Sequence, residues 1–298
     1  MPKLIFACPY CHTPLTINGD TQFDCPHDGL IFKQVEGIWC FLLPGQEEYY
    51  AAYFKEAKIV HNTIKTEPDG KSDNHIEKLI QYVLIPLENH STTPLQILDL
   101  GAGTGWLANL LAERGHLVGS LDLLSDSAMG VRAGAQNMSN NPLLQAEFNA
   151  LPLHDSTIDL VIYHDAFHYS DSYVSTLGEA FRVLKTEGQV VIMGSPYLDN
   201  KADGVALINR REAAFETDYG FPRFTLYSEG FLTAQWLESL SDLISIEWKY
   251  IVPNNGNFQQ KMINYWRKLL GKPLQPIFPL IIGRRDRSAH ATKDWSKL

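Results

Sequence analysis

A glycine-rich turn between a predicted strand and a predicted helix constrains the fold of this chain more than any other feature. Residues 95–100 form an apolar run suited to a buried strand, and three glycines at alternate positions follow it directly: Gly101, Gly103 and Gly105. The apolar spacing that begins at Trp106 predicts a helix after the turn. Strand-like and helix-like runs alternate from residue 94 onward, which is typical of a parallel α/β sheet covered by helices.

A second predicted strand, residues 116–122, ends in Asp122. Ligands of open α/β sheets bind at the carboxyl ends of strands, and an acid at this position accepts hydrogen bonds from ribose hydroxyls. A dinucleotide fold would require a GxGxxG turn, whereas Trp106 takes the place of the third glycine. Asp99 precedes the turn, and its carboxylate would repel pyrophosphate but suit a ligand with an ammonium group. The sequence therefore favours S-adenosylmethionine (SAM) over a dinucleotide.

Several motifs make residues 94–195 similar to the class I SAM-dependent methyltransferases, in particular their broad small-molecule, ubiquinone-type branch. The runs that carry this resemblance are LDLGAGTG, AEFNALPLHDSTIDLVIYHDAFHYSD and AFRVLKTEGQVVIMG. The resemblance implies an enzyme with a Rossmann-like α/β sheet that transfers a methyl group from SAM. It places the ribose at Asp122, and the adenine at Glu147 and Phe148. The cofactor-binding residues that it implies are Asp99, Gly101, Gly103, Gly105, Asp122, Leu123, Glu147, Phe148 and His164.

Three polar residues follow the fourth strand of this domain, where the methyl acceptor would lie: His164, Asp165 and His168. Methyl transfer is an in-line displacement at a sulfonium methyl, so orientation and desolvation remove much of the barrier. A base is needed only when the acceptor must lose a proton. Either imidazole would take that proton, and Asp165 would orient one of them. A buried imidazole with a structural partner is the alternative for each histidine.

All four cysteines lie in the first 40 residues, which in a reducing compartment indicates a metal site before disulfides. Cys8-Pro-Tyr-Cys11 is a tight turn that directs two thiolates at one ion, and a similar turn starts at Cys25. Two such turns supply the four ligands of tetrahedral Zn²⁺. A ribbon that has lost its metal is the alternative. The candidates for the fourth ligand, in order of preference, are His27, Asp28 and Cys40.

These features predict a zinc-ribbon-like β module at residues 1–45 and a methyltransferase domain at 46–298. The ribbon is similar to that of rRNA guanine-N1 methyltransferases, although His27 lies closer to the third cysteine than their zinc histidine does. The larger domain is expected to contain leading helices (46–93), a cofactor-binding core (94–195) and an insertion for acceptor recognition (196–227).

The composition and net charge limit the kinds of molecule that this protein is expected to bind. Hydrophobic residues make up 45% of the chain and charged residues 20%, which fits a soluble protein with a core, and the net charge of −9 argues against a surface built for nucleic acid. We therefore expect a small or medium-sized organic acceptor, methylated on O, N or C. Methylation of an RNA base and a non-catalytic SAM-binding scaffold are the alternatives. The sequence shows neither a transmembrane run nor a signal peptide, so a cytoplasmic location is predicted.

The carboxyl-terminal part is basic, in contrast to the acidic remainder. Its arginines would contact phosphates if the acceptor were RNA: Arg284, Arg285 and Arg287. The amphipathic run at 261–272 would allow contact with a membrane surface through Met262, Trp266, Leu269 and Leu270. A solvated tail and a helix packed on the sheet edge are the simpler interpretations.

Overall fold

A computed structural model describes residues 4–63, 72–125, 130–131, 141–221, 228, 230–252, 264, 267, 269–270 and 274–286. In this part of the chain, eleven strands form one mixed sheet, and a separate pair is formed by β10 and β11. The strands are β1 (Thr16–Ile17), β2 (Gln22–Asp24), β3 (Ile31–Val35), β4 (Ile38–Cys40), β5 (Gln96–Leu100), β6 (Leu117–Asp122), β7 (Leu143–Gln145), β8 (Ile158–His164), β9 (Leu184–Met193), β10 (Tyr197–Leu198), β11 (Leu232–Thr233), β12 (Ile246–Ile251) and β13 (Leu280–Arg285).

Seven α-helices surround the strands: α1 (Gln46–Thr63), α2 (Ser72–Leu79), α3 (Ile85–His90), α4 (Trp106–Glu113), α5 (Tyr173–Val183), α6 (Lys201–Tyr219) and α7 (Ala234–Ile244). A π-helical turn, Ile80–Leu84, joins α2 to α3 without a break. Together they form the second of the leading helices expected from the sequence. A 3-10 turn, Phe167–Tyr169, follows β8. None of the described helices is both long and apolar enough to cross a membrane.

The centre of the large sheet is parallel, with the order β7-β6-β5-β8-β9. Strand β13 then pairs with β9 in the antiparallel direction and carries β12 on its outer side. The strands β5, β6 and β8 are therefore aligned so that their carboxyl ends meet at one edge. This arrangement confirms the α/β class and the Rossmann-like sheet predicted from the alternating pattern.

Two layers of apolar side chains hold helices against both faces of the sheet. On one face, Leu177 of α5 and Leu237 of α7 join a buried cluster. On the other face, Leu79 of α2 and Leu107 of α4 join a second cluster. The parallel strands between them are mostly apolar because both of their faces are covered, and Asp99 of β5 is an exception.

The ribbon extends the large sheet instead of standing apart from it. Strand β4 pairs in parallel with β7, with Ile38 opposite Leu143 and Cys40 opposite Gln145. Strands β3, β2 and β1 follow in antiparallel order. The side chains that fill the ribbon are aromatic: Phe6, Phe23, Phe32, Trp39 and Phe41. The structure thus joins the two segments that the sequence separates at residue 45.

The insertion at 196–227 contains β10 and the long helix α6, as its helical pattern predicts. Only Gly204 and Leu207 of α6 are buried, and Leu207 packs with Leu198 and Phe231 in a small cluster of its own. Residues 222–227 of the insertion lie outside the described residues. The same holds for Arg287 of the basic tail and for Met262 and Trp266 of the amphipathic run.

Candidate functional site

The glycine-rich turn lies at the carboxyl edge of the sheet, between β5 and α4. Gly101, Gly103 and Gly105 all adopt left-handed backbone conformations, with φ of +73°, +50° and +71°. Such angles strain residues that carry a side chain. Gly101 also has no room for one, because an added Cβ would lie 2.3 Å from the Cβ of Ala166. The bare backbone of this turn is the surface that a ligand would meet.

Asp122 ties this turn to the end of β6. One of its carboxylate oxygens accepts a hydrogen bond from the backbone N–H of Gly103 at 2.9 Å, and the other accepts from the N–H of Leu124 at 2.9 Å. The carbonyl of Leu123 accepts from the side chain of Gln145 at 3.0 Å. Each carboxylate oxygen has more than one acceptor site, so Asp122 can still accept from ligand hydroxyls.

Asp99 is a buried carboxylate with spare acceptor capacity. It is 1% exposed, and its Oδ2 has no hydrogen-bond partner among the described residues. Burial and, to a smaller extent, the nearby charge of Asp122 together raise the pKa of Asp99 to about 7, against the opposing effect of a backbone hydrogen bond from Ala108. A buried acceptor without a partner is costly, and a cationic ligand group would stabilise the ionised form. The amino group of SAM carries such a charge, so these residues fit the cofactor.

Glu147 and Phe148 follow β7 and lie at the same edge as the glycine turn. The ring of Phe148 packs edge-on against Tyr163 at 5.5 Å, and its Cζ would lie 3.3 Å from a Cβ added at Gly101. Glu147 accepts a hydrogen bond from the hydroxyl of Tyr50. The structure therefore brings the residues assigned to ribose, adenine and turn to one place.

His164 and Asp165 end β8 beside this turn. The His164 side chain is 9% exposed, and its Nε2 lies 3.3 Å from Asp165 Oδ2. The ring packs edge-on against Trp106 at 5.3 Å. Burial lowers the pKa of His164, and the neighbouring His75 lowers it further, while the charge of Asp165 opposes the shift. The imidazole is therefore neutral at pH 7 and able to accept a proton.

His168 lies deeper than the sequence pattern suggests. Its Nδ1 is 3.2 Å from the hydroxyl of Ser195, and both residues are buried. Its carbonyl accepts from the N–H of Gly230 at 3.2 Å. His168 thus links the turn after β8 to the end of β9 and to the segment before α7, which is the structural alternative considered for it.

A second cluster lies in the ribbon and contains ligand atoms of Cys8, Cys11, Cys25 and Asp28, all within 4.8 Å of one another. The Sγ atoms of Cys11 and Cys25 are 3.5 Å apart, and Cys8 Sγ is 3.4 Å from Asp28 Oδ2. A tetrahedral Zn²⁺ site places sulfur atoms roughly 3.8 Å apart, since each Zn–S bond is about 2.3 Å. The spacing of the cluster fits such an ion, and all four cysteines are free thiols.

The turns that begin at Cys8 and Cys25 have the same backbone, and this equivalence favours Asp28 as the fourth candidate ligand. The N–H of His12 bonds the carbonyl of Cys8 at 2.9 Å, and the N–H of Gly29 bonds that of Cys25 at 3.0 Å. His12 and Gly29 both have left-handed φ, of 60° and 68°. Three residues after each first cysteine, the turn presents an inward ligand: Cys11 in the first turn and Asp28 in the second.

The structure therefore corrects the preference for His27 as the fourth ligand. His27 occupies the outward position that Tyr10 takes in the first turn, and its side chain is 71% exposed. Its Nδ1 lies 2.8 Å from Asp28 Oδ1, and it does not belong to the group of four ligand atoms. Cys40 is likewise absent from the cluster and lies on β4.

Two further residues contact this site. The sequence offers Tyr49, Tyr50 and Tyr53 of the leading helix as possible cofactor contacts, with packing as the more ordinary role of each, and only the fold singles out Tyr50 by bringing it to Glu147. Ser195 carries no motif, and its contact with His168 depends on the pairing of β8 with β9. Neither contact has a signal in sequence spacing.

Comparison with known proteins agrees with this geometry. A family model described as a methyltransferase domain matches residues 98–192. That segment runs from β5 to β9 and includes the glycine turn, Asp122, Glu147 and His164. Residues 98–192 are thus similar to a methyltransferase domain in both sequence and position of the candidate site.

Curated relatives match a similar share of the chain or somewhat more. The malonyl-acyl-carrier-protein O-methyltransferase of Geobacter sulfurreducens is 31% identical over 114 residues, which are 38% of this chain and 43% of that protein. The sarcosine/dimethylglycine N-methyltransferase of Halorhodospira halochloris is 30% identical over 143 residues, 45% of this chain and 50% of that protein. The chain thus spans about half the length of these relatives or less.

A solved structure extends the likeness beyond the matched segment. The plantazolicin methyltransferase, determined with SAH and a monoazolic desmethylPZN analogue, is similar with a TM-score of 0.53 over 82% of this chain and 95% of that chain. Its sequence identity is 14%, so the likeness concerns the fold. Residues 98–192 are thus similar in sequence to methyltransferase domains, and the fold around them is similar to that of a SAM-dependent methyltransferase.

Proposed function

We propose that this protein transfers the methyl group of SAM to an oxygen, nitrogen or carbon atom of a small or medium-sized organic molecule. The observation that carries the proposal is Asp99, a buried carboxylate with a free acceptor atom beside a glycine turn that leaves no room for a side chain. A nucleoside with a cationic amino-acid tail matches that combination. The O- and N-methyltransferase relatives, which act on small or carrier-bound acids and amines by their names, support the acceptor class.

SAM, when bound, supplies an electrophilic methyl group on a sulfonium. The residues of this chain would orient and desolvate the reactants, which is sufficient for much of the rate enhancement. Asp99 and Asp122 would hold the amino group and the ribose, and Glu147 with Phe148 would hold the adenine. We assign the adenine to this side because both residues follow β7 at the shared edge.

We propose His164 as the residue that takes a proton from the acceptor where one must leave. Its lowered pKa keeps the ring neutral, and Asp165 Oδ2 at 3.3 Å would stabilise the imidazolium that forms. His168 is a weaker candidate because Ser195 and the surrounding core enclose its ring.

We further propose that Zn²⁺ binds Cys8, Cys11, Cys25 and Asp28. The support is the equivalence of the two turns and the spacing of the four ligand atoms. Burial raises the pKa of the Cys8 thiol to about 12, with backbone hydrogen bonds to Cys11 and Tyr10 opposing that shift. Zinc binding would replace this proton, because a metal-bound cysteine is a thiolate.

RNA remains the second candidate acceptor because of the basic carboxyl-terminal segment. One of its arginines has a structural role that weakens this interpretation: the guanidinium of Arg285 donates to the carbonyl of Phe181 and lies 5.8 Å from the centre of that ring. Arg284 lies opposite Glu247 in the antiparallel register of β13 and β12. A phosphate-binding role would therefore fall mainly on residues outside the described part.

Binding of SAH, the demethylated product, tests the cofactor assignment. SAH is expected to raise the melting temperature and to give a titration isotherm, while NADH should do neither. Gly101→Ala should abolish binding, because the added Cβ would collide with Ala166. Gly178→Ala is the matched control: Gly178 lies in α5 with open space around it, so binding should be unchanged. Binding of SAH by Gly101→Ala at wild-type strength would refute the placement.

Methyl-labelled SAM then tests the acceptor class. Incubation with a fractionated bacterial extract should transfer label into the small-molecule fraction. Transfer into RNA, with binding that weakens steeply as salt rises, would favour the second candidate.

A further inference from the structure

The hydroxyl of Tyr50 is placed against the carboxylate that faces the adenine position. Tyr50 lies in α1, and Glu147 lies 97 positions later, just after β7. The tyrosine hydroxyl donates to Glu147 Oε1, so that oxygen is occupied and Oε2 is left for another donor. This contact crosses from the leading helix to the cofactor-binding core.

The environment of Tyr50 keeps the phenol in this orientation. The residue is 8% exposed, and its ring packs against Tyr49 at 4.9 Å and Phe54 at 6.0 Å. Burial raises the pKa of Tyr50 well above its usual range, and the hydrogen bond to Glu147 raises it further. The hydroxyl therefore stays protonated and acts as a donor at any pH the protein would meet.

The adenine amino group of SAM is a hydrogen-bond donor, and Glu147 is the carboxylate proposed to accept from it. A free glutamate side chain loses rotamer freedom when it binds, and that loss weakens the contact. A donor that already fixes one oxygen removes this cost and leaves the other oxygen aimed at the ligand.

We propose that Tyr50 is a positioning residue for adenine recognition, because it fixes the Glu147 carboxylate in the orientation that accepts from the adenine amino group. The inference rests on the proposed function, since it requires SAM at this site. It gives helix α1, through Tyr50, a part in selecting the cofactor. Tyr50 touches Glu147 and acts through it.

The test compares two ligands that differ only at the substituent on purine C6. SAH carries an amino group there, and its 6-deamino analogue carries a hydrogen, which cannot donate to a carboxylate. Dissociation constants for both ligands are measured by titration calorimetry on the full-length wild-type protein and three variants: Tyr50→Phe, Glu147→Ala and Tyr49→Phe. Melting temperatures of the free proteins report on folding.

We expect the wild type to prefer SAH by about tenfold or more. Tyr50→Phe retains the ring and should weaken SAH binding by roughly 3- to 10-fold, the range of one hydrogen bond, while binding of the 6-deamino analogue is unchanged. Glu147→Ala should remove the preference, and adding Tyr50→Phe to it should cost nothing more. Tyr49→Phe should behave as wild type, because Tyr49 is 67% exposed.

Four outcomes would overturn the inference. Equal weakening of both ligands by Tyr50→Phe would mean that Tyr50 only packs, and tighter SAH binding would mean that it competes with adenine for Glu147. A wild type that binds both ligands equally would refute recognition by Glu147 while leaving the proposed cofactor intact. A wild type that binds neither ligand would refute the proposed function itself.

Discussion

Asp99 shows how one buried residue links stability to ligand binding. Folding raises the pKa of Asp99 to about 7, whereas the unfolded chain holds it near 4. Between these values the folded protein binds a proton that the unfolded chain has released. The contribution of Asp99 to stability is therefore largest below about pH 4, falls as the pH rises to about 7, and is constant above that.

Asp99→Asn removes this titration. The free energy of unfolding of the variant, minus that of the wild type, should rise by up to about 1 kcal/mol per pH unit between pH 5 and 7 and then level off. Saturating SAH should reduce that dependence in the wild type, because a cation beside Asp99 lowers its pKa. Urea unfolding at pH 5, 6, 7 and 8 gives the measurement. A difference that does not vary with pH would mean that Asp99 is ionised throughout.

The metal ligands give a second prediction for single residues. Asp28→Ala should weaken zinc binding by more than the roughly 10- to 100-fold expected for an outer partner, and His27→Ala should cost less because His27 lies outside the group of four ligand atoms. Competition with a chromophoric chelator measures both affinities. Greater loss in His27→Ala would restore the fourth ligand favoured by the sequence.

The secondary-structure elements were largely predictable, because apolar periodicity and glycine positions are local. The strand at 95–100, the glycine turn, α4 and β6 all follow from runs of a few residues. The placement of Asp122 at the end of β6 also follows, because the apolar run that predicts this strand ends at Asp122. The cofactor side of the site was therefore accessible from the sequence.

What the sequence left open depends on pairing between distant elements. Nothing in residues 38–40 indicates that β4 pairs with β7, more than a hundred positions later. The choice between His27 and Asp28 depends on the backbone register of a turn, which adjacent residues of similar chemistry do not reveal. His168 likewise follows a strand as predicted. Its ring is buried because the pairing of β8 with β9 brings Ser195 against it.

Across the whole molecule, the ribbon and the cofactor site share one segment, residues 146–153. Its first residues carry Glu147 and Phe148, and its last part is bound to the ribbon: the N–H of Ala7 donates to the carbonyl of Pro152 at 3.2 Å, and Phe6 bridges Leu153. The metal-binding turn begins directly after Ala7. The ribbon thus limits the positions that the adenine-binding residues can take.

A second set of contacts ties the same segment to α5. Glu179 accepts from the N–H of Leu151 at 2.9 Å, and Arg182 donates to the carbonyls of Leu151 and Leu153. His12, which ends the first metal-binding turn, lies 3.5 Å from Glu179. A change in the conformation of that turn would therefore affect residues 146–153 by two routes: through the adjoining residues Phe6 and Ala7, and through Glu179 of α5.

Removal of the metal should accordingly weaken cofactor binding as well as stability. A small ribbon depends on its ion for folding free energy, so chelation is expected to lower the melting temperature by several degrees and to raise the dissociation constant for SAH by on the order of tenfold. Titration calorimetry before chelation, after it and after zinc is restored gives the comparison. Cys40→Ser is the control, because Cys40 lies outside the cluster and should leave both quantities unchanged. If the metal-free protein binds SAH as tightly as before, the aromatic cluster of the ribbon holds residues 146–153 without the ion.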